Sequence, residues 1–184
     1  MRVIGGKYGG RKLVSFSAEH IRPTSDRVKE SIFNILQGYW EDSRVLDLFS
    51  GTGSLGIESL SRGAREVISV ESNGKSIEIM KKNLSLLKVE AGFLIRKMDV
   101  MSYLSAYEGE SFDVVLIDPP FTEKLAHKVM TAVSKSQVFG DDTTIIIEWS
   151  KFELLEKEYG ELVACDQRDF GDKLVTFFKK KKAS

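Results

Sequence analysis

Residues 45–56 read VLDLFSGTGSLG, and the fold turns on how this stretch is read. Val45 and Leu46 open an apolar run that takes in an acid, Asp47, and continues through Leu48 and Phe49. Gly51, Gly53 and Gly56 then fit G-x-G-x-x-G. In that pattern glycine permits a tight turn and lets a ligand come close to the backbone. The residues from Ser54 onward, SLGIESLS, have helical character. Strand, glycine turn and helix N-terminus together make the nucleotide-binding corner of a doubly wound α/β sheet. The pattern alone does not name its ligand.

Downstream of this corner, strand-like and helix-like segments alternate. Strands are expected at RVLDLF, EVISVE, FLIRKMD, FDVVLIDPPF and TTIIIEWS. Helices are expected at SLGIESLSRG (ended by Gly63), KSIEIMKKNLSLL, VMSYLSAY, EKLAHKVMTAVSK and FELLEKEY. Such alternation means parallel strands joined by right-handed crossovers. ELVACDQRDF and DKLVTFFKK, with only Gly171 near the join, read as an antiparallel hairpin. The expected fold class is therefore α/β: a Rossmann-like, mostly parallel sheet closed by an antiparallel C-terminal hairpin, with helices on both faces.

Upstream, RPTSDRVKESIFNIL (residues 22–36) reads as a helix. Thr24, Ser25 and Asp26 are N-cap candidates after Pro23, and Gly38 ends the helix. Val28, Ile32, Ile35 and Leu36 form its expected buried face. In residues 1–16, Val3-Ile4 and Leu13-Val14 suggest a small hairpin around a Gly-rich turn. The whole chain, residues 1–184, is expected to be one domain: an N-terminal extension (1–20), a core (21–178) and a basic tail (179–184).

Composition narrows the class. With 184 residues, 42% hydrophobic and 29% charged, the chain suits a globular domain. No apolar run approaches the ~20 residues of a membrane span, and the N-terminus lacks the apolar core of a signal peptide. A cytoplasmic protein is expected. One cysteine, Cys165, excludes an internal disulfide, and its surroundings suggest a small core residue in a strand. With His20 and His127 the only histidines, no metal site is expected.

Net charge is zero but unevenly spread. Residues 1–40 carry seven Lys/Arg against three Asp/Glu, and Lys179 to Lys182 form a basic tail. Residues 41–178 carry sixteen against twenty-four. A basic extension beside an acidic body points to a polyanion at one edge. Arg2, Lys7, Arg11 and Lys12, with Tyr8 among them, offer phosphate-binding charge and one stacking ring. Arg27 stands near the positive end of its helix, against local electrostatics, and joins them.

Four successive strand ends carry an acid: Asp47, Glu71, Asp99 and Asp118. Ligands of doubly wound sheets bind outside those ends. Glu71 lies twenty residues after Gly51, the spacing of an acid that binds ribose hydroxyls. Asp99 suits an exocyclic amine such as adenine N6. Asp47, placed in the turn before the glycines, suits a cationic ligand and would suit a pyrophosphate badly. This favours S-adenosylmethionine over a dinucleotide.

Asp118-Pro119-Pro120-Phe121 is the sharpest motif. Two prolines fix the backbone and remove two N–H donors. The Asp118 carboxylate and the Pro119 carbonyl can then accept hydrogen bonds from one –NH₂ group and turn its lone pair toward an electrophile. Phe121 offers a flat face to a base swung out of its stack. Catalysis would be chiefly orientation and electrostatics.

These residues, with GGKYGGRKL and RPTSDRVKESIFNIL at the N-terminus, resemble the RsmD family. Its members are class I S-adenosylmethionine-dependent methyltransferases acting on guanine N2 of 16S ribosomal RNA. The resemblance implies a seven-stranded sheet with a reversed last strand. It implies cofactor contacts from Arg22, Thr24, Asp47, Phe49, Gly51, Gly53, Glu71, Ser72, Asp99, Val100 and Asp118, and catalysis by Asp118, Pro119, Pro120 and Phe121. The implied partner is 16S ribosomal RNA or the assembling small subunit; for the chain itself a monomer is the default expectation. Ser25 and Lys29 stand where the family often has Thr and Arg. Amine chemistry at such a motif also fits DNA adenine or a protein glutamine amide. A dinucleotide-dependent oxidoreductase is a further alternative.

Overall fold

A computed structural model describes residues 1–16 and 26–182. Eight strands form one sheet in the order β3-β2-β1-β4-β5-β8-β7-β6. The parallel part consists of β1 (Arg44–Leu48), β2 (Glu66–Glu71), β3 (Phe93–Lys97), β4 (Phe112–Ile117) and β5 (Phe139–Ser150). β8 (Lys173–Lys180) runs antiparallel to β5, and β7 (Leu162–Asp169) antiparallel to β8. The chain leaves β1 toward β2 and β3, then returns to place β4 on the other side. The switch point therefore lies between the carboxyl ends of β1 and β4, where a crevice opens in such sheets.

Apolar side chains alternate across the sheet as the strand period requires. Leu46, Leu48, Val115, Ile117, Ile145 and Ile147 face α4 (Val100–Ala106) and α5 (Ala126–Val133). Val45, Val67, Val114, Leu116 and Ile146 face α1 (Asp26–Ile35) and α2 (Ser54–Ser61). α3 (Gly74–Leu86) begins at an Asn73 cap whose side chain accepts from Lys75 N and Ser76 N. No helix among the described residues is long and apolar enough to cross a membrane.

Several expectations need correction. The sheet has eight strands rather than seven, because Glu158–Tyr159 forms a two-residue β6 paired with β7. No helix forms over FELLEKEY. Its side chains instead bind backbone N–H groups: Ser150 N and Ala126 N, outside the segment, donate to the Glu153 carboxylate, and Glu156 N donates to the Tyr159 hydroxyl. In α1 the buried face is Val28, Lys29, Ile32 and Phe33, continued by Leu36, while Ile35 is exposed. Cys165 is exposed, because a bulge between Ala164 and Asp166 breaks the alternation of β7. The N-terminal hairpin shrinks to one antiparallel bridge, Arg2 with Lys12, around a 3-10 turn at Gly6–Tyr8. The caps expected at Thr24 and Ser25 lie outside the described residues.

The N-terminal segment is held by a buried ion cluster. Glu58 on α2 is fully buried and accepts from Ile4 N (2.7 Å), Gly5 N (2.9 Å) and Arg62 Nε (2.9 Å). Lys29 on α1, also buried, sits 3.4 Å from it and donates to the Arg2 carbonyl and to Ser54 Oγ. Burial pushes the Lys29 ammonium below its usual value, against the pull of Glu58. Val3 and Leu13 then pack on Ile57 and Leu87. Removing Glu58 would leave a buried cation and two unpaired N–H groups. Glu58→Ala should cost about 3–5 kcal/mol of unfolding free energy, read by urea denaturation; a loss below about 1 kcal/mol would refute this account.

Candidate active site

The glycine turn is built on strained backbone. Phe49 is a non-glycine residue at φ 59°, while Gly51 and Gly53 have φ of 55° and 83°. Ser50 ties the turn to the sheet: its N–H donates to the Val70 carbonyl at 3.2 Å and its hydroxyl to the Asp47 carbonyl at 2.6 Å. A side chain at Gly53 would strike Met80, whereas the space in front of Gly51 is open. The backbone at Gly51 is thus free to be approached closely, as the pattern requires.

Asp47 is not in the turn. It lies within β1, fully buried beneath it. Its Oδ2 accepts from Gly56 N at 3.0 Å, and its Oδ1 has no hydrogen-bond partner. Burial, with the negative charges of Asp118 and Glu71 adding, pushes its carboxyl up to about 7, although the Gly56 N–H pulls the other way. A buried acid with one orphaned oxygen, within electrostatic reach of two further carboxylates, makes a site that favours a cation.

Glu71, half-buried at the end of β2, braces the turn: Gly51 N donates to Oε2 at 2.8 Å and Asn73 N to Oε1 at 2.7 Å. Each oxygen keeps a lone pair for a further donor. Ser72 follows it on the surface. Asp99 is the N-cap of α4, accepting from Ser102 N at 2.9 Å and Ser102 Oγ at 3.2 Å, and Val100 behind it is buried. Asp118 hangs directly beyond β4, its N–H 3.4 Å from the Leu48 carbonyl of β1. Pro119 is buried, Pro120 exposed and Phe121 half-buried. The structure thus brings Asp47, Gly51, Glu71 and Asp118 to the switch point. Arg22 and Thr24 lie outside the described residues.

The basic candidates lie on the N-terminal segment and, for Arg27, on α1. Lys7, Arg11, Lys12 and Arg27 are exposed. Lys7 lies over the Tyr8 ring, Arg11 reaches the Leu86 carbonyl, and Arg27 lies over the Phe170 ring. An open polar groove of about 470 Å³, lined by Arg44, Glu66 and Leu94 among others, sits at the amino edge of the sheet, away from the acids. No metal-holding group of His, Cys, Asp and Glu occurs among the described residues.

The model of the family described as "Conserved hypothetical protein 95" matches residues 1–179. The chain belongs to this family. It is the RsmD family that the motifs resemble. Similar chains include the "Putative rRNA methyltransferase YlbH" of Bacillus subtilis (strain 168), 35% identical over 98% of this chain and 100% of the relative. The "Ribosomal RNA small subunit methyltransferase D" of Haemophilus influenzae is 37% identical over 82% of this chain and 79% of its own. The solved structure of "Putative methyltransferase yhhF from Escherichia coli" superposes with a TM-score of 0.86 at 29% identity, covering 98% of each chain.

Within this RsmD-family chain, sequence reasoning missed three devices. Asn83 on α3 is fully buried. It accepts from Val14 N and donates to the carbonyls of Val14 and Thr52, tying the glycine turn to the N-terminal segment. Its signal was a polar residue inside the apolar stripe of Ile77, Met80, Leu84 and Leu87. The Glu58–Lys29 pair and the Glu148–Lys173 pair join residues far apart in the chain and left no local signal.

The raised Asp47 acid has a consequence for stability. A carboxyl whose folded value lies above its unfolded one binds more protons in the folded chain, so stability falls as pH rises. The window runs from about 4, the ordinary value, to about 7. Asp47→Asn, which mimics the protonated acid, should match the parent near pH 4 and exceed it by roughly 2–4 kcal/mol above pH 7. Chemical denaturation across that range measures it, and parallel curves would contradict it.

Proposed function

We propose that this chain transfers a methyl group from S-adenosylmethionine to the exocyclic N2 of a guanine in 16S ribosomal RNA. The observation that carries the reading is the placement of Asp118-Pro119-Pro120-Phe121 at the switch point, beside a glycine turn underlain by Asp47. Membership of a family whose relatives are named ribosomal RNA small subunit methyltransferase D supports the substrate.

The residues present fit this cofactor. Its ammonium and sulfonium suit a crevice where Asp47 Oδ1 is orphaned and Asp118 and Glu71 add negative charge. A pyrophosphate would meet three carboxylates there. When bound, the cofactor supplies a methyl group already activated by the sulfonium. Asp47, with Phe49 and the Gly51–Gly53 turn above it, would hold its amino acid end, and Glu71 with Ser72 its ribose. Asp99 and Val100 would border its base, and the family resemblance adds Arg22 and Thr24, outside the described residues, as cofactor contacts. The Asp118 carboxylate and the Pro119 carbonyl would accept hydrogen bonds from the substrate amine and hold its lone pair outward. Phe121 would stack on the extruded base.

The whole chain acts as one methyltransferase domain: a basic extension (1–20), a core (21–178) and a lysine tail (179–184). Lys7, Tyr8, Arg11, Lys12 and Arg27 hold RNA, free or in the assembling small subunit, and the enzyme works as a cytoplasmic monomer.

Labelled methyl transfer onto unmodified 16S RNA and partly assembled subunits, followed by nucleoside analysis, tests this reading. The label should appear in N2-methylguanosine. Label only in adenosine, or only in protein glutamine, would replace the guanine assignment. Asp118→Ala should abolish transfer while S-adenosylmethionine binding stays nearly intact; transfer at the parent rate would remove the motif from catalysis. Glu71→Ala should weaken cofactor binding by ~1–3 kcal/mol, as expected for a lost charged acceptor, and calorimetry showing unchanged affinity would take Glu71 out of the site.

A further inference from the structure

Next to Asp118, the carboxyl edge of the sheet carries a second buried acid. The β4–β5 ladder pairs Ile117 with Ile147, so Asp118 and Glu148 are neighbours one step beyond it. Across the antiparallel β5–β8 ladder, Glu148 faces Val175 and Ser150 faces Lys173. Lys173 is then a diagonal neighbour of Glu148 on the same face. Its ammonium pairs with the buried Glu148 carboxylate. The same ammonium stands 4.3 Å from the centroid of the Phe121 ring. The Lys173 side chain is 17% exposed and that of Glu148 only 1%, so solvent screens this pair little.

This arrangement goes beyond a salt bridge. One face of Phe121 is covered by a cation, and a buried carboxylate fixes where that cation sits. A cation over an aromatic ring is held by the ring's π density and draws that density toward itself. The opposite face becomes a better platform for an electron-rich ring, and guanine is the most electron-rich of the bases.

We propose that Lys173, anchored by Glu148, is a positioning residue that orients and polarises Phe121 as the stacking platform for the target guanine. The inference rests on the methyl-transfer reading. It adds a role for β8, the strand delivered by the C-terminal hairpin, in recognising the base.

Steady-state kinetics on 16S RNA test it. Lys173→Met keeps the stem and removes the charge. It should raise KM for RNA about tenfold, the size of a partly desolvated cation–π contact. kcat and S-adenosylmethionine affinity should stay close to parent values. Lys173→Arg, which also pairs with a carboxylate and stacks on a ring, should restore most of the loss. In a Phe121→Leu background, Lys173→Met should add nothing. If Lys173→Met fails to fold because the buried Glu148 loses its Lys173 counter-charge, the pair Lys173→Met with Glu148→Gln removes both charges and should show the same KM increase. An unchanged KM, an equal loss with and without Phe121, or a loss confined to cofactor binding would overturn the inference while parent activity stands. A parent chain that transfers no methyl group to RNA would overturn the proposed function and this inference with it.

Discussion

The hydrogen bond from Gly56 N to the buried Asp47 Oδ2 is the contact on which the site depends. It fixes α2 against β1. Gly56 has no side chain to spare, since a Cβ there would lie 3.0 Å from Asp47 Oδ2 and 3.0 Å from Val67 Cγ1. With the helix seated so closely, the turn before it must reverse in few residues, and Phe49, Gly51 and Gly53 take positive φ to do so. The cost is a carboxylate out of water with one oxygen unpaired. Such a group either holds a proton or waits for a cation. Packing geometry and ligand chemistry meet in that one side chain.

The N-terminal segment is tied into the same corner. Glu58, one turn beyond the start of α2, gathers two backbone N–H groups from residues 4 and 5 together with Lys29 and Arg62. Asn83 links residue 14 to the glycine turn at Thr52. A basic segment too small to fold alone thereby gains a fixed position. Its exposed Lys7, Arg11 and Lys12 are presented on the face near the turn's helices. The opposite flank is served by the C-terminal hairpin, which brings Lys173 to Glu148 and Phe121. Both ends of the chain thus bear on a site whose centre lies in the middle of the sequence.

Legibility in the sequence followed the range of the interactions. The parallel run of strands β1 to β5 is readable because each strand and helix announces itself over a few residues, whereas their spatial order comes from the sheet itself. The reversed hairpin was readable from two apolar runs around Gly171. The apolar residues of FELLEKEY suggest a helix, but its own side chains bind backbone N–H groups: Glu153 takes those of Ala126 and Ser150, and the Tyr159 hydroxyl that of Glu156. Helical spacing alone admits either Ile35 or Phe33 to the core, and the packing of Trp40 on Phe33 decides it. Asp99 was read as a cofactor acid and also caps α4, two roles that a strand-end position serves equally.

The sequence by itself determined the fold class, the glycine turn, the strand-end acids and the Asp118–Phe121 motif. Each of these is encoded in contiguous residues or in a short fixed spacing. Only the tertiary structure decided that Asp47 lies under the turn rather than in it, that Glu58 meets Lys29, and that Lys173 covers Phe121. Those facts depend on strand register and helix packing, which bring together residues separated by tens of positions. No local pattern records such a pairing, because a buried charge is tolerated only once its distant partner has been delivered to it.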